Sequence, residues 1–292
     1  MTWVVFALLA ALGSAASTLF IKRTVTLGDP LRSTVGFRIA SGVLIAVVVT
    51  LASAWRQPNP AYWRTLALLM VPEVGGMVFM SLALRRGDVS HVQPIFGLLP
   101  IFVTINGVLL VHDIPTPLAA AGIVLVAIGI YTVGLQRGRS LLEPLVALGR
   151  DRASWLAVLS GLFWSVTPFI HKMGSAAVGP LMWGMSVSFI SGVVLALILP
   201  LLRFRSTEML PGDRARWVGW MLATAIPFSV QQVMLQLALR RAQSGYVFAV
   251  TSTSTVIATT LGVVLLGERG AVTRLPGAVL VTAGAALIAL GG

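Results

Sequence analysis

The chain has 292 residues; 57% are apolar and only 10% are charged, against about a quarter in a soluble domain. That balance excludes an ordinary soluble enzyme, a disordered chain and a fibre, and the lack of cysteine excludes a disulfide framework, a thiolate nucleophile and a Cys-type metal site. The net charge of +12 is carried almost wholly by arginines in short clusters between apolar runs, which is membrane-end placement and not a nucleic-acid surface.

A hydrocarbon core about 30 Å thick needs roughly 20 apolar residues per helix. Stretches free of Asp, Glu, Lys and Arg run over 2–21, 39–55, 89–112, 114–136, 153–171, 173–202, 217–239, 242–267 and 275–292. A further stretch, 65–84, is interrupted only by Glu73. The prediction is an all-α integral membrane protein of ten transmembrane helices, with loops too short for a soluble domain. In lipid every backbone group must be satisfied internally, and the alternating strands of a barrel are not visible. Lys22 and Arg23 follow the first apolar run and no basic residue precedes it. A signal peptide has the opposite order, so this run is expected to remain as a helix.

The two halves match. Leu82-Ala83-Leu84-Arg85-Arg86 recurs as Leu237-Ala238-Leu239-Arg240-Arg241, an offset of 155 that also pairs Pro72 with Pro227, Gly107 with Gly262, Asp113 with Glu268, Gly122 with Gly277 and Gly129 with Gly284. Nearer the start of each half an offset of 150 pairs Lys22 with Lys172 and Ser41-Gly42 with Ser191-Gly192. The reading is a first five-helix repeat over 1–136, a connecting loop over 137–152 and a second repeat over 153–292. Five is odd, so the repeats have inverted topology, the plan of many secondary transporters with a midplane site and alternating access. Fifteen of the loop Lys and Arg residues follow odd-numbered spans and five follow even-numbered ones. The positive-inside rule then places both termini outward.

Polar residues in a span usually face the bundle interior or a watery cavity. In the first span Ser14, Ser17 and Thr18 share a face, as cavity lining or as small residues for close packing. In the third, Glu73 shares a face with Gly76, Met77 and Met80; as the one acid well inside a span it is the candidate for substrate or proton coupling. The fourth aligns Gln93, Gly97, Pro100 and Thr104. The fifth and tenth carry Gly122 with Gly129 and Gly277 with Gly284, faces on which helix backbones can approach closely. The sixth aligns Trp164, Thr167, Pro168 and His171. Trp164 lies mid-span, while Trp3, Trp55, Trp63, Trp155 and Trp217 sit at span ends as interfacial anchors. Its ring either contacts an apolar or cationic solute or packs on a neighbouring helix. The eighth offers Gln231 and Gln232, amides suited to a carboxylate or amide solute. The ninth aligns Phe248, Ser252, Thr255 and Thr259 within the polar run Thr251–Thr255, whose five hydroxyls are not all expected to bond their own helix. Pro72, Pro94, Pro100, Pro168 and Pro227 fall within spans as hinges or static bends.

The residues also resemble the EamA-type members of the drug/metabolite transporter superfamily. The carrying features are Gly36-Phe37-Arg38-Ile39 opening the second span, the Ala-Leu-Arg-Arg ends of the third and eighth, Gly267-Glu268-Arg269 and the Gly-rich closing helix. His112-Asp113 stands where the first half would usually carry Gly-Glu, and the N-terminus lacks the basic residues of many members. The resemblance implies a ten-helix carrier of small metabolites, often an exporter of amino acids. Small relatives dimerise through a glycine heptad; here the fifth and tenth spans can pack within one chain, so a monomer is expected. The expected partners are a small-molecule substrate and the lipid bilayer of the inner (plasma) membrane, with no nucleic acid, cofactor or metal. A drug or nucleotide-sugar carrier is the alternative within transport. An intramembrane hydrolase is the alternative outside it, disfavoured by the absence of Gly-x-Ser-x-Gly, His-Glu-x-x-His and nucleotide-loop motifs.

Overall fold

The computed structural model describes residues 2–86, 98–134, 152–202, 212–266 and 271–291, and among them every regular element is a helix. The first half contains α1 (Thr2–Val25), α2 (Pro30–Leu51), α3 (Pro60–Arg86), α4 (Leu99–Val111) and α5 (Pro117–Gly134). The second contains α6 (Arg152–Val178), α7 (Pro180–Ile198), α8 (Asp213–Leu239), α9 (Ser244–Thr251), α10 (Ser254–Leu266) and α11 (Ala271–Gly291). Six described helices are long and apolar enough to cross a membrane, and Leu99–Val111, Pro117–Val133 and Pro276–Gly291 are shorter apolar helices.

Prolines set several starts. Pro30, Pro60, Pro117 and Pro180 each occupy the first helical position, where a missing N–H costs nothing and the fixed φ suits the helix. At α2 the Asp29 side chain accepts from the N–H groups of Leu31 and Arg32 at 2.9 and 3.1 Å, completing the cap. These starts correct the charge-free boundaries. The second span begins at Pro30 and not at 39, so it encloses Arg38. The sixth runs through Lys172 to Val178, so the seventh begins at Pro180 and not at 173. A charge was read as a helix end in both cases, yet each lies within a helix and has a partner on another segment, Arg38 with Glu73 and Lys172 with Asp113.

The ninth span is two helices. The chain turns at Ser252 and Thr253, and the hydroxyls of Thr251, Ser252 and Thr253 donate to the carbonyls of Val247, Phe248 and Val250 at 2.7, 2.7 and 2.8 Å. The polar run therefore satisfies much of itself locally, and hydroxyl competition with the backbone ladder accompanies the break.

The main helix pairs all join one half to the other: α1 with α8, α3 with α6, α2 with α7 and α5 with α11. Their registers run antiparallel. Gly42 of α2 lies on Phe189 of α7, while Gly192 lies on Ile39. On α5 and α11, Gly122 lies on Gly284 and Gly129 on Gly277. Equivalent helices of the two halves thus run in opposite directions, the mark of inverted repeats. A Cβ at Gly284 would lie 2.5 Å from the carbonyl oxygen of Gly122. Gly284→Ala is expected to lower stability by about 1–3 kcal/mol, as overpacking does. Gly219, with open space around it, is the control; Gly219→Ala is expected to be neutral or stabilising by up to about 1 kcal/mol. Thermal unfolding in detergent compares the two.

Candidate functional site

Arg38 is the ninth residue of α2, about 12 Å along the axis from its start. It is buried, with 8% of its surface exposed. Its Nη1 lies 2.8 Å from Oε1 of Glu73 on α3 and donates to Ser191 Oγ on α7 at 2.7 Å. Its Cζ sits 5.2 Å from the ring centre of Phe228 on α8, which packs edge-on against Phe37. Four helices, two from each half, therefore converge on one ion pair. This corrects the sequence reading, in which Arg38 stood near a span end and Glu73 alone lay deep. The Asp29-Pro30 start signal was available: it puts Arg38 two turns into a helix.

A second buried polar group lies within electrostatic reach of that pair. His171 of α6 accepts at Nδ1 from Trp183 Nε1 at 3.0 Å, and Gln236 Nε2 lies 3.1 Å from the same nitrogen. Indole N–H is a donor only, so Nδ1 is bare and the neutral ring carries its proton on Nε2. Trp183 is fully buried and meets Tyr62 edge-on; Tyr62 donates to Ser186 at 2.8 Å. Trp183 and Gln236 were not singled out from sequence, and Ser191 entered only as the repeat partner of Ser41. Gln236 sits one turn beyond Gln232, the helical spacing that marks a shared face.

The remaining sequence candidates fall into several settings. Trp164 lies against the backbone of α3 at Gly76, and its Nε1 donates to the Glu73 carbonyl at 3.3 Å. Ser160 donates to the Gly76 carbonyl at 2.8 Å beside it. Met77 is buried with Leu31, Val74 and Leu195. Ser17 and Thr18 both donate to the Ser14 carbonyl, and Thr167 donates to that of Trp164. The backbone of Gln231 lies against Gly13, and Gln232 is buried. Ser252 lies in the break of the ninth span, and Thr255 is half-buried in the first turn beyond it. Gln93 and Pro94 lie outside the described residues. Pro72, Pro168 and Pro227 are inside helices, as read. Pro100 is corrected: it is the second residue of α4, where proline opens a helix and bends nothing.

A cavity of about 630 Å³ lies where α1 begins and α4, α8 and α11 end. Trp3, Asp113, Lys172, Arg241, Gln243 and Tyr246 are among its lining residues. The Lys172 ammonium is 3.6 Å from Asp113, and Tyr246 packs on Trp3 at 6.3 Å. None of the candidate substrate-path residues read from sequence lines this cavity; Trp3, Asp113 and Lys172 entered that reading only as an interfacial anchor and as repeat pairs.

The EamA-like transporter family matches residues 1–135 and again residues 152–290. Among curated proteins there is no match. Solved structures do match; one, titled "Crystal structure of protein", is 17% identical, covers 99% of this chain and 96% of its own, and superposes with a TM-score of 0.75. That likeness is one of fold. The chain belongs to the EamA-like transporter family and is a multi-pass membrane protein of the drug/metabolite transporter type.

Removing one partner of a buried ion pair strands a charge and costs about 3–5 kcal/mol. Glu73→Gln and Arg38→Gln are each expected to destabilise by that amount, and the double variant by clearly less than their sum. Unfolding in detergent across the four proteins measures the coupling.

Proposed function

We propose that the protein is a secondary carrier that exports amino acids or related small amphipathic metabolites across the inner membrane by alternating access. The observation that carries this reading is the buried Arg38–Glu73 pair at the junction of the two halves. Charges of both signs there suit a solute bearing both, and intramembrane ionisable residues of transporters belong to solute and ion paths. The carrier works as a monomer, with the α5–α11 contact made within the chain, and needs no cofactor.

Glu73 serves as the coupling group: an inward-moving proton reaches it in competition with Arg38 and drives the solute outward. Purified protein in liposomes tests both parts. Counterflow of an unmodified amino acid is expected, and formation of a chemical product overturns the carrier reading. Glu73→Gln is expected to abolish uptake driven by a pH gradient; an unchanged pH response removes Glu73 from coupling.

Both termini face outward in this proposal. The chain has no cysteine of its own, so single cysteines report sidedness cleanly. Gln57→Cys is expected to react with an impermeant maleimide in intact cells and Ser140→Cys only after lysis; the reverse pattern inverts the topology.

A further inference from the structure

The guanidinium of Arg38 has two edges, and the hydrogen bonds it makes to described residues run through Nη1 alone. The other edge, Nε with Nη2, is the fork that holds a carboxylate through two parallel N–H···O bonds. Nε is buried and has no hydrogen-bond partner. An orphaned buried donor costs about 1–3 kcal/mol, more on a charged group, and the bilayer core holds no water to satisfy it. An arginine kept only to neutralise Glu73 would turn its fork onto both carboxylate oxygens. Here one nitrogen serves Glu73 and Ser191 together, and Nε of the fork is left without a partner.

We infer that the Nε edge of Arg38 binds the carboxylate of the transported solute, which makes Arg38 a substrate-binding residue. This rests on the carrier reading above and names its solute class. Glu73, held beside Arg38 by the 2.8 Å contact, is placed to meet a positive group on the same solute. A zwitterion set against the ion pair adds no net charge to a low-dielectric site. A lone carboxylate or a lone amine adds one, at the desolvation cost of an unmatched buried charge. The site therefore selects zwitterionic α-amino acids over amines and simple acids. The Phe228 ring over the guanidinium shields it from water on one face.

The single variant Arg38→Gln strands Glu73 and risks misfolding, so the test uses wild type and the charge-free double variant Arg38→Gln/Glu73→Gln. Each of the twenty amino acids is screened for stabilisation of the detergent-purified wild type. For the tightest binder, its amide (carboxylate masked) and its deaminated acid (ammonium removed) are then titrated against both proteins. In wild type the amide is expected to bind at least about tenfold more weakly than the amino acid, and the deaminated acid also more weakly. In the double variant amino-acid affinity is expected to fall by about tenfold to a hundredfold, the worth of a charge-assisted contact, and the ranking to collapse. An amide that binds wild type as well as the amino acid overturns the assignment, as does a folded double variant that keeps the ranking. Binding of deaminated acids but of no amino acid, lost in the double variant, keeps the Arg38 assignment and fells the amino-acid reading. Binding of neither class overturns both.

Discussion

Each principal interface in the molecule joins a helix of one repeat to a helix of the other, so neither repeat closes a core by itself. Lipid tails are as apolar as leucine, so no hydrophobic drive holds helices together within the bilayer; close packing must do it. The chain meets that demand with small residues at the crossings. Gly122 and Gly284 bring two backbones to contact distance, and Gly13 does the same for α1 against α8. The repeats are units of sequence but not separable bodies. A motion that parted them would strip four interfaces at once, so rearrangement is confined to what those antiparallel pairs allow.

The buried charges follow from the same interlock. Arg38 and Glu73 come from the first half, while Ser191 and Phe228 come from the second. An arginine two turns into a membrane helix is tolerable only because α2, α3, α7 and α8 meet at that level. The His171 cluster takes His171, Trp183 and Gln236 all from the second half, and the first half reaches it through Tyr62 of α3, edge-on against Trp183. Among the described residues Arg38 pairs with Glu73 and His171 lies within its electrostatic reach, while Ser191 of α7 accepts from Arg38.

The fold was largely legible because its signals are local or periodic. Apolar runs long enough to span a bilayer, a duplicated Ala-Leu-Arg-Arg and an odd number of helices per repeat lead directly to an inverted ten-span plan. The candidate site was less legible. Glu73 and His171 stood out as polar groups in apolar runs, and both are buried among polar partners. Arg38 was assigned to a span end because charge served as punctuation, and that rule fails wherever a charge finds a distant partner. The hydroxyls of Ser17, Thr167 and Ser252 were grouped on faces by periodicity, yet each donates within its own helix. Periodicity gives an azimuth; it does not say whether a hydroxyl is already satisfied.

The sequence by itself determined that this chain lives in a bilayer, that it is helical and that its halves are inverted copies. Those properties follow from composition and spacing, and the lipid environment permits few alternatives. Only the tertiary structure decided which charges meet. Arg38 and Glu73 are 35 residues apart, and Arg38 and Ser191 are 153 apart. No local rule links positions so distant. Their pairing depends on how four helices cross, and the low dielectric at that crossing is what makes the pairing necessary.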